Sequence, residues 1–223
     1  MNKPNILFFM SDNQPADMLR CYGNDEVQTP HLDGLANRGV RFANAFCVNA
    51  MCSPCRASVL TGLMPSQHGI HNWLDDRLMD RWPKNWSAIA EFANLPTVLK
   101  DAGYVTALIG KFHLGVPFIP QLAFDHWVTF PHGHTTSFYG NDVIDQEKRY
   151  RFAGHTVDFL QTRQSNSWST RPVRTIRFLP LFRTTAPTGI GPRSQDAQSL
   201  RSPHFMTSLT CILSPARGYR TTY

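Results

Sequence analysis

The residues best placed to do chemistry fall into three short groups. The densest is Cys52-Ser53-Pro54-Cys55-Arg56, followed by Thr61-Gly62. A deprotonated thiol can act as a nucleophile or a metal ligand, and Cys-x-x-Cys spacing suits a redox pair or half of a zinc site. No second Cys pair completes a zinc tetrad, and a redox pair has no use for the Arg and Thr-Gly that follow. A buried structural thiol is the plain alternative. Arg56 lies four residues beyond Cys52, one helical turn, and can reach back to it. Lys111 and His113 flank Phe112, and in an extended segment their side chains share one side. Asp12-Asn13 offers oxygen ligands to a hard divalent cation, or else forms a polar turn. His68 is expected to order a loop near the pocket. His132 and His134, either side of Gly133, read as loop residues with only a faint metal-pair pattern.

These groups need elements that bring them together. Asn5 to Met10 is a continuous apolar run, the pattern of a strand buried on both faces. Thr29-Pro30-His31 opens a helix with Leu32, Leu35 and Ala36 at helical spacing, stopped by Gly39. Val40 to Phe46 reads as a second strand. A helix starting at Ser53 or Pro54 runs through Leu60 and closes at Gly62. Thr97 to Ala102 is a short helix, and Tyr104 to Ile109 a third strand. Such alternation predicts an α/β fold with a largely parallel sheet. Ligands of such sheets sit beyond the carboxyl ends of strands. Asp12 follows the first strand and Gly110-Lys111-Phe112-His113 the third, so the two can converge.

The chain has 223 residues and a formal net charge of +6, enough length for one real core. The charge is unevenly spread: residues 1–161 carry 13 Lys+Arg against 15 Asp+Glu, whereas residues 162–223 carry nine Arg, no Lys and one acid. That tail also holds eight Ser, ten Thr and six Pro and sustains no period. It is read as a disordered extension or an out-of-frame translation beginning near residue 162. It lacks aromatic interleaving, so no nucleic-acid partner is expected. No apolar run approaches the roughly 20 residues that span a bilayer, so no membrane partner is expected. The start, MNKPNILFFM, is too short for a leader and reads as strand; a cytoplasmic location is expected, with the periplasm as the alternative. Five Cys, an odd number without a leader, argue against a disulfide framework.

Taken in order, the motifs resemble the sulfatase family. Cys52-Ser53-Pro54-Cys55-Arg56 with Thr61-Gly62 matches its Cys-x-Pro-x-Arg…Thr-Gly signature, with Cys55 where the family more often has Ser or Ala. Pro4-Asn5-Ile6-Leu7 with Ser11-Asp12-Asn13-Gln14, Thr29-Pro30-His31-Leu32-Asp33, Pro65-Ser66-Gln67-His68-Gly69, Gly110-Lys111-Phe112-His113-Leu114-Gly115 and Phe124-Asp125-His126-Trp127 extend the likeness over residues 3–161. The resemblance implies an alkaline-phosphatase-like α/β sandwich, here truncated, with residues 1–161 as the N-terminal portion of the catalytic domain.

It further implies that a maturation enzyme, formylglycine-generating or radical, oxidises Cys52 to formylglycine. The hydrated aldehyde would attack the sulfur of a sulfate monoester, carried by a small molecule or a glycan, and a second hydroxyl would let sulfate depart. Arg56 would hold the diol and balance charge, Lys111 would bind sulfate and diol, and His113 would help deprotonate the diol. Asp12, Asn13 and position 52 would face a calcium ion. Asn13 stands where the family commonly has a second Asp. Members of the family continue well beyond this length, and their further metal ligands, leaving-group His and second sulfate-binding Lys have no counterpart after residue 161. The alternatives are a phosphonate or phosphate ester hydrolase of the same superfamily and a catalytically inactive fragment.

Overall fold

The computed structural model describes residues 4–12, 14–135, 137–169, 175–181 and 209–212. Its strands are β1 (Ile6–Ser11), β2 (Val105–Ile109), β3 (His126–Thr129), β4 (Tyr139–Asp145), β5 (Lys148–His155), β6 (Thr175–Leu181) and β7 (Leu209–Ile212). They form one sheet in the order β5-β4-β3-β2-β6-β1-β7. The four central strands, β3, β2, β6 and β1, run parallel. Antiparallel strands complete both margins: β4 on β3, β5 on β4 and β7 on β1. The expected parallel sheet is therefore its core, within a mixed whole.

The helices are α1 (Pro30–Arg38), α2 (Cys52–Thr61), α3 (Pro65–His68), α4 (Leu95–Asp101) and α5 (Thr156–Ser169). Successive strand side chains point to opposite faces, and two cores follow from that alternation. Phe8, Met10, Leu108, Trp127 and Ile144 face α2 and α4, meeting Cys55, Ala57, Leu60, Leu95 and Leu99. Their neighbours Leu7, Phe9, Ile109, Val128 and Val143 face the other way, against Phe159 and Leu160 of α5. Helices thus cover both faces, as a parallel-centred sheet requires. No helix among the described residues is long and apolar enough to cross a membrane.

One expectation meets a different outcome. Val40 to Phe46 is not a strand: it has no regular structure, and Val40, Phe42 and Phe46 are exposed. Strand preference expresses packing on a pleated surface, and no sheet neighbour lies beside this segment to supply it. Within residues 162–223, read as a disordered or out-of-frame extension, the described stretches are the end of α5, β6 and β7, and the rest of that extension lies outside the described residues. Ser202-Pro203-His204 lies outside the described residues.

The segment after β2 is pinned from two sides. Ala88 N donates to Leu114 O at 2.8 Å, and Val116 N to Trp86 O at 2.9 Å. Gly115 makes this approach possible, because a Cβ there would lie 2.3 Å from Trp86 O. Beneath it Phe112 packs edge-on against Trp127 at 4.8 Å, and Trp127 Nε1 donates to Pro117 O at 2.7 Å.

Candidate active site

Three chain segments place their charged groups together at the carboxyl ends of β1 and β2. Lys111 Nζ donates to Asp12 Oδ2 at 2.8 Å, and Arg56 Nη2 donates to the same oxygen at 3.3 Å. Arg56 Nη1 donates to Lys111 O at 2.9 Å, which ties α2 to the end of β2. Arg56 and Lys111 are buried; Asp12 is partly exposed. Burial raises the Asp12 carboxyl, but the charges of Lys111 and Arg56 outweigh it and hold the pKa at about 2. Burial and the Arg56 charge push Lys111 below the ordinary lysine range, with Asp12 working against them. Two buried cations therefore share one carboxylate, an arrangement poised to accept further negative charge.

Cys52 is the first residue of α2, where free N–H groups and the helix dipole favour an anion. Asn49 Oδ1 accepts from Met51 N at 2.9 Å and fixes the chain entering that helix. Thr61 Oγ1 donates to Ala57 O at 2.7 Å, and left-handed Gly62 caps the other end, so the Thr-Gly pair is the stop signal of α2. Cys55 is not the partner of Cys52. Its Sγ lies 3.0 Å from Cys47 Sγ, and that contact, with burial, pushes its thiol well above the usual range. The Cys-x-x-Cys redox pair is thereby replaced by a Cys47–Cys55 contact facing the core.

His113 has a positive φ of 53°, so the Lys111–His113 segment is not extended and the two side chains part company. Lys111 turns to Asp12. The His113 ring turns to Leu74, where Nε2 donates to the carbonyl at 3.0 Å. Nδ1 is buried and has no hydrogen-bond partner among the described residues. Cys52 and His134 lie beside this ring, with one ligand atom from each of the three residues within 4.8 Å of the others. Burial and the Lys111 charge depress the His113 pKa to about 4.

That depression predicts a pH effect on stability. An unfolded His113 takes up a proton near pH 6.5, whereas the folded one does so only near pH 4. The stability is fully present above pH 6.5 and is lost as the pH falls through that window, and the loss reaches about 3 kcal/mol at its lower end. Urea unfolding of wild type and His113→Gln across that window should show the variant's stability changing much less; parallel curves would contradict the assignment.

Ser53, fully buried, was not singled out by sequence reasoning. Its hydroxyl donates to His113 O at 2.9 Å and accepts from Leu74 N at 3.0 Å, binding the start of α2 to two loops. Its position inside the Cys-Ser-Pro-Cys-Arg run was the one available signal. His68 plays the ordering role expected of it: Nδ1 accepts from Ile70 N at 3.1 Å, so Nε2 donates to Ser58 Oγ at 3.0 Å. In the Phe124-Asp125-His126-Trp127 motif the aromatic residues fill core, while Asp125 accepts from Thr106 N at 2.9 Å and pairs with Lys100. His132 Nδ1 lies 3.4 Å from Asp76 Oδ2 and lines a cleft with Asp76 and His113.

Of the positions expected to face calcium, Asp12 is present at the site and Asn13 lies outside the described residues. Calcium takes six to eight oxygen ligands. Around this site the described residues present one carboxylate, already held by two cations, and Cys52 offers sulfur. Asp12 supplies one oxygen ligand toward such a shell, and no step below is routed through the ion.

A parallel-centred sheet with helices on both faces and a buried cation pair beside a helix-start cysteine make this an α/β protein with an anion-receiving site at its strand ends. A sequence model described as Sulfatase matches residues 4–168, and the chain belongs to that family. It is 34% identical over 166 residues to the N-acetylglucosamine-6-O-sulfatase of Bacteroides thetaiotaomicron, covering 74% of this chain and 27% of that protein. It therefore spans about a quarter of that relative's length. A solved structure in complex with its substrate, D-glucosamine-2-N,6-O-disulfate, superposes with a TM-score of 0.68 at 30% identity, over 80% of this chain and 34% of the other. The phosphonate monoester hydrolase of Agrobacterium radiobacter shares the fold, with a TM-score of 0.60 at 19% identity, over 86% and 43% of the two chains.

Proposed function

We propose that this chain holds the nucleophile and sulfate-binding portion of a sulfate monoester hydrolase acting on a sulfated small molecule or glycan. The observation that carries this reading is the convergence of Arg56 and Lys111 on Asp12 beside the start of α2. Converted to formylglycine by a maturation enzyme, position 52 supplies a hydrated aldehyde whose oxygen is the nucleophile. The orphaned Nδ1 of His113 suits that group, because it gives a buried hydroxyl proton an acceptor. Nε2, donating to Leu74 O, fixes the tautomer in which Nδ1 can accept.

Lys111 binds the sulfate oxygens and, with the N-terminus of α2, offsets the charge that gathers on them. Arg56 keeps Lys111 in place through its backbone carbonyl and shares the Asp12 carboxylate. Proton uptake at His113 Nδ1 favours release of sulfate from position 52.

Two measurements test this. Peptide mass spectrometry over residues 51–56, after expression with a maturation enzyme, should find Cys52 lighter by about 18 Da, from loss of hydrogen sulfide and gain of oxygen. The matured chain should then cleave aryl sulfate in preference to aryl phosphonate, and Lys111→Ala should lower kcat/KM by about 10²–10³-fold. Preference for the phosphonate would move the chain to the phosphonate hydrolase alternative. A matured chain without turnover would make it an inactive fragment.

A further inference from the structure

We propose that two copies of this chain associate through the strip from Val40 to Val48, packed face to face and antiparallel about a twofold axis at Asn44. The strip reads almost the same from either end: Val40-Arg41-Phe42-Ala43-Asn44-Ala45-Phe46-Cys47-Val48, with only Arg41 and Cys47 exchanged. A twofold contact needs a surface that complements itself. Here it sets Val40 of each copy against Val48 of the other, Phe42 against Phe46, and Asn44 against its own counterpart.

The structure sorts these residues to suit. Arg41 and Cys47 turn back to the chain's own body: the guanidinium lies over the Tyr22 ring at 5.1 Å, and Cys47 Sγ lies 3.0 Å from Cys55 Sγ. Tyr22 Oη donates to Phe42 O at 3.0 Å and ties down the backbone between them. The alternate positions are left to solvent: Val40 is 75% exposed, Phe42 54%, Phe46 80% and Val48 46%, and Asn44 is exposed as well. Apolar side chains concentrated in this way mark a contact surface, unlike singly scattered ones.

Size and charge favour a second copy as the occupant. A phenylalanine can bury about 150–250 Å², so at these exposures Phe42 and Phe46 give up roughly 200–330 Å² per copy. With Val40 and Val48 the two copies together approach about 1,000 Å², the size a specific interface needs. The strip holds no acid, and its one cation, Arg41, is drawn off over Tyr22, so close approach brings no like charges face to face. At the axis each Asn44 amide offers both a donor and an acceptor to the other. That polar pair sets the register, because a slip along the strip would place Asn44 against a phenylalanine.

Sedimentation equilibrium of the full, reduced chain over rising concentration tests this. A monomer–dimer equilibrium without larger species is expected, and Phe46→Asp should weaken it about tenfold or more. Asn44→Asp and Asn44→Lys, each alone, put like charges on the axis and should weaken it about as much, whereas an equimolar mixture of the two should restore it. Asn44 is exposed, so both variants keep the fold, which circular dichroism checks. A chain that stays monomeric would give the strip to a different partner and overturn the pairing. Open-ended assembly, a dimer indifferent to Phe46→Asp, or a mixture no tighter than its separate components would overturn it too.

Discussion

Replacing Asp12 by Ala should cost the fold about 3 kcal/mol, the low end of the range for breaking a buried ion pair. The low end applies because the Asp12 side chain is 27% exposed, against 8% and 9% for Lys111 and Arg56. The loss does not come from the missing attraction alone. Without the carboxylate, two cations remain buried beside one another, and Lys111 is already pushed down by burial and by Arg56. A folding stability of 5–15 kcal/mol makes this a large fraction of the total. Adding Lys111→Met to Asp12→Ala removes one orphaned cation and should restore most of the loss. Urea unfolding of the three proteins checks both statements. An Asp12→Ala loss below about 0.5 kcal/mol, the size of an ordinary surface change, would mean that water already screens the pair.

Trp127→Ala should be at least as damaging, at about 3–5 kcal/mol for the lost contacts and the cavity. Trp127 is fully buried, touches Phe112 and Phe124, and donates to Pro117 O. Its removal also leaves that buried carbonyl unsatisfied, a further cost of about 1–3 kcal/mol. Phe112 sits between Lys111 and His113, so the same cavity loosens both. Trp127→Phe, which keeps most of the ring volume, should lose markedly less. Equal losses in the two variants would place the cost in the hydrogen bond instead of the packing.

Sequence reasoning succeeded where punctuation was local. Pro30 opens α1, Gly39 and Gly62 close α1 and α2, and the apolar run from Asn5 marks β1, whereas α2 starts at Cys52, one or two residues before the expected Ser53 or Pro54. It also foresaw that Asp12 and Lys111 would meet, because strand ends in a parallel sheet share one side. What it could not read was set by distant neighbours. Nothing in Thr175–Leu181 announces that it separates β1 from β2. Val40 to Phe46 has a strand's composition but no sheet beside it. Cys52 and Cys55 are three residues apart, about 300° around a helix, and that rotation is enough to send one thiol to His113 and the other to Cys47. His134 and Ser53 earn their places from loop paths that no periodicity encodes.

The position of β6 bears on how the chain reaches this arrangement. A ribosome delivers β1 and β2 before the strand that must lie between them. At 5–20 residues per second, roughly 4–14 s pass between the end of β2 and the end of β6. During that interval both strands offer open edges to each other. Direct pairing would set them about 4.8 Å apart, one strand spacing where the finished sheet has two. Such a nascent pairing must come undone before Thr175–Leu181 can enter, so sheet assembly contains a built-in opportunity for a kinetic trap.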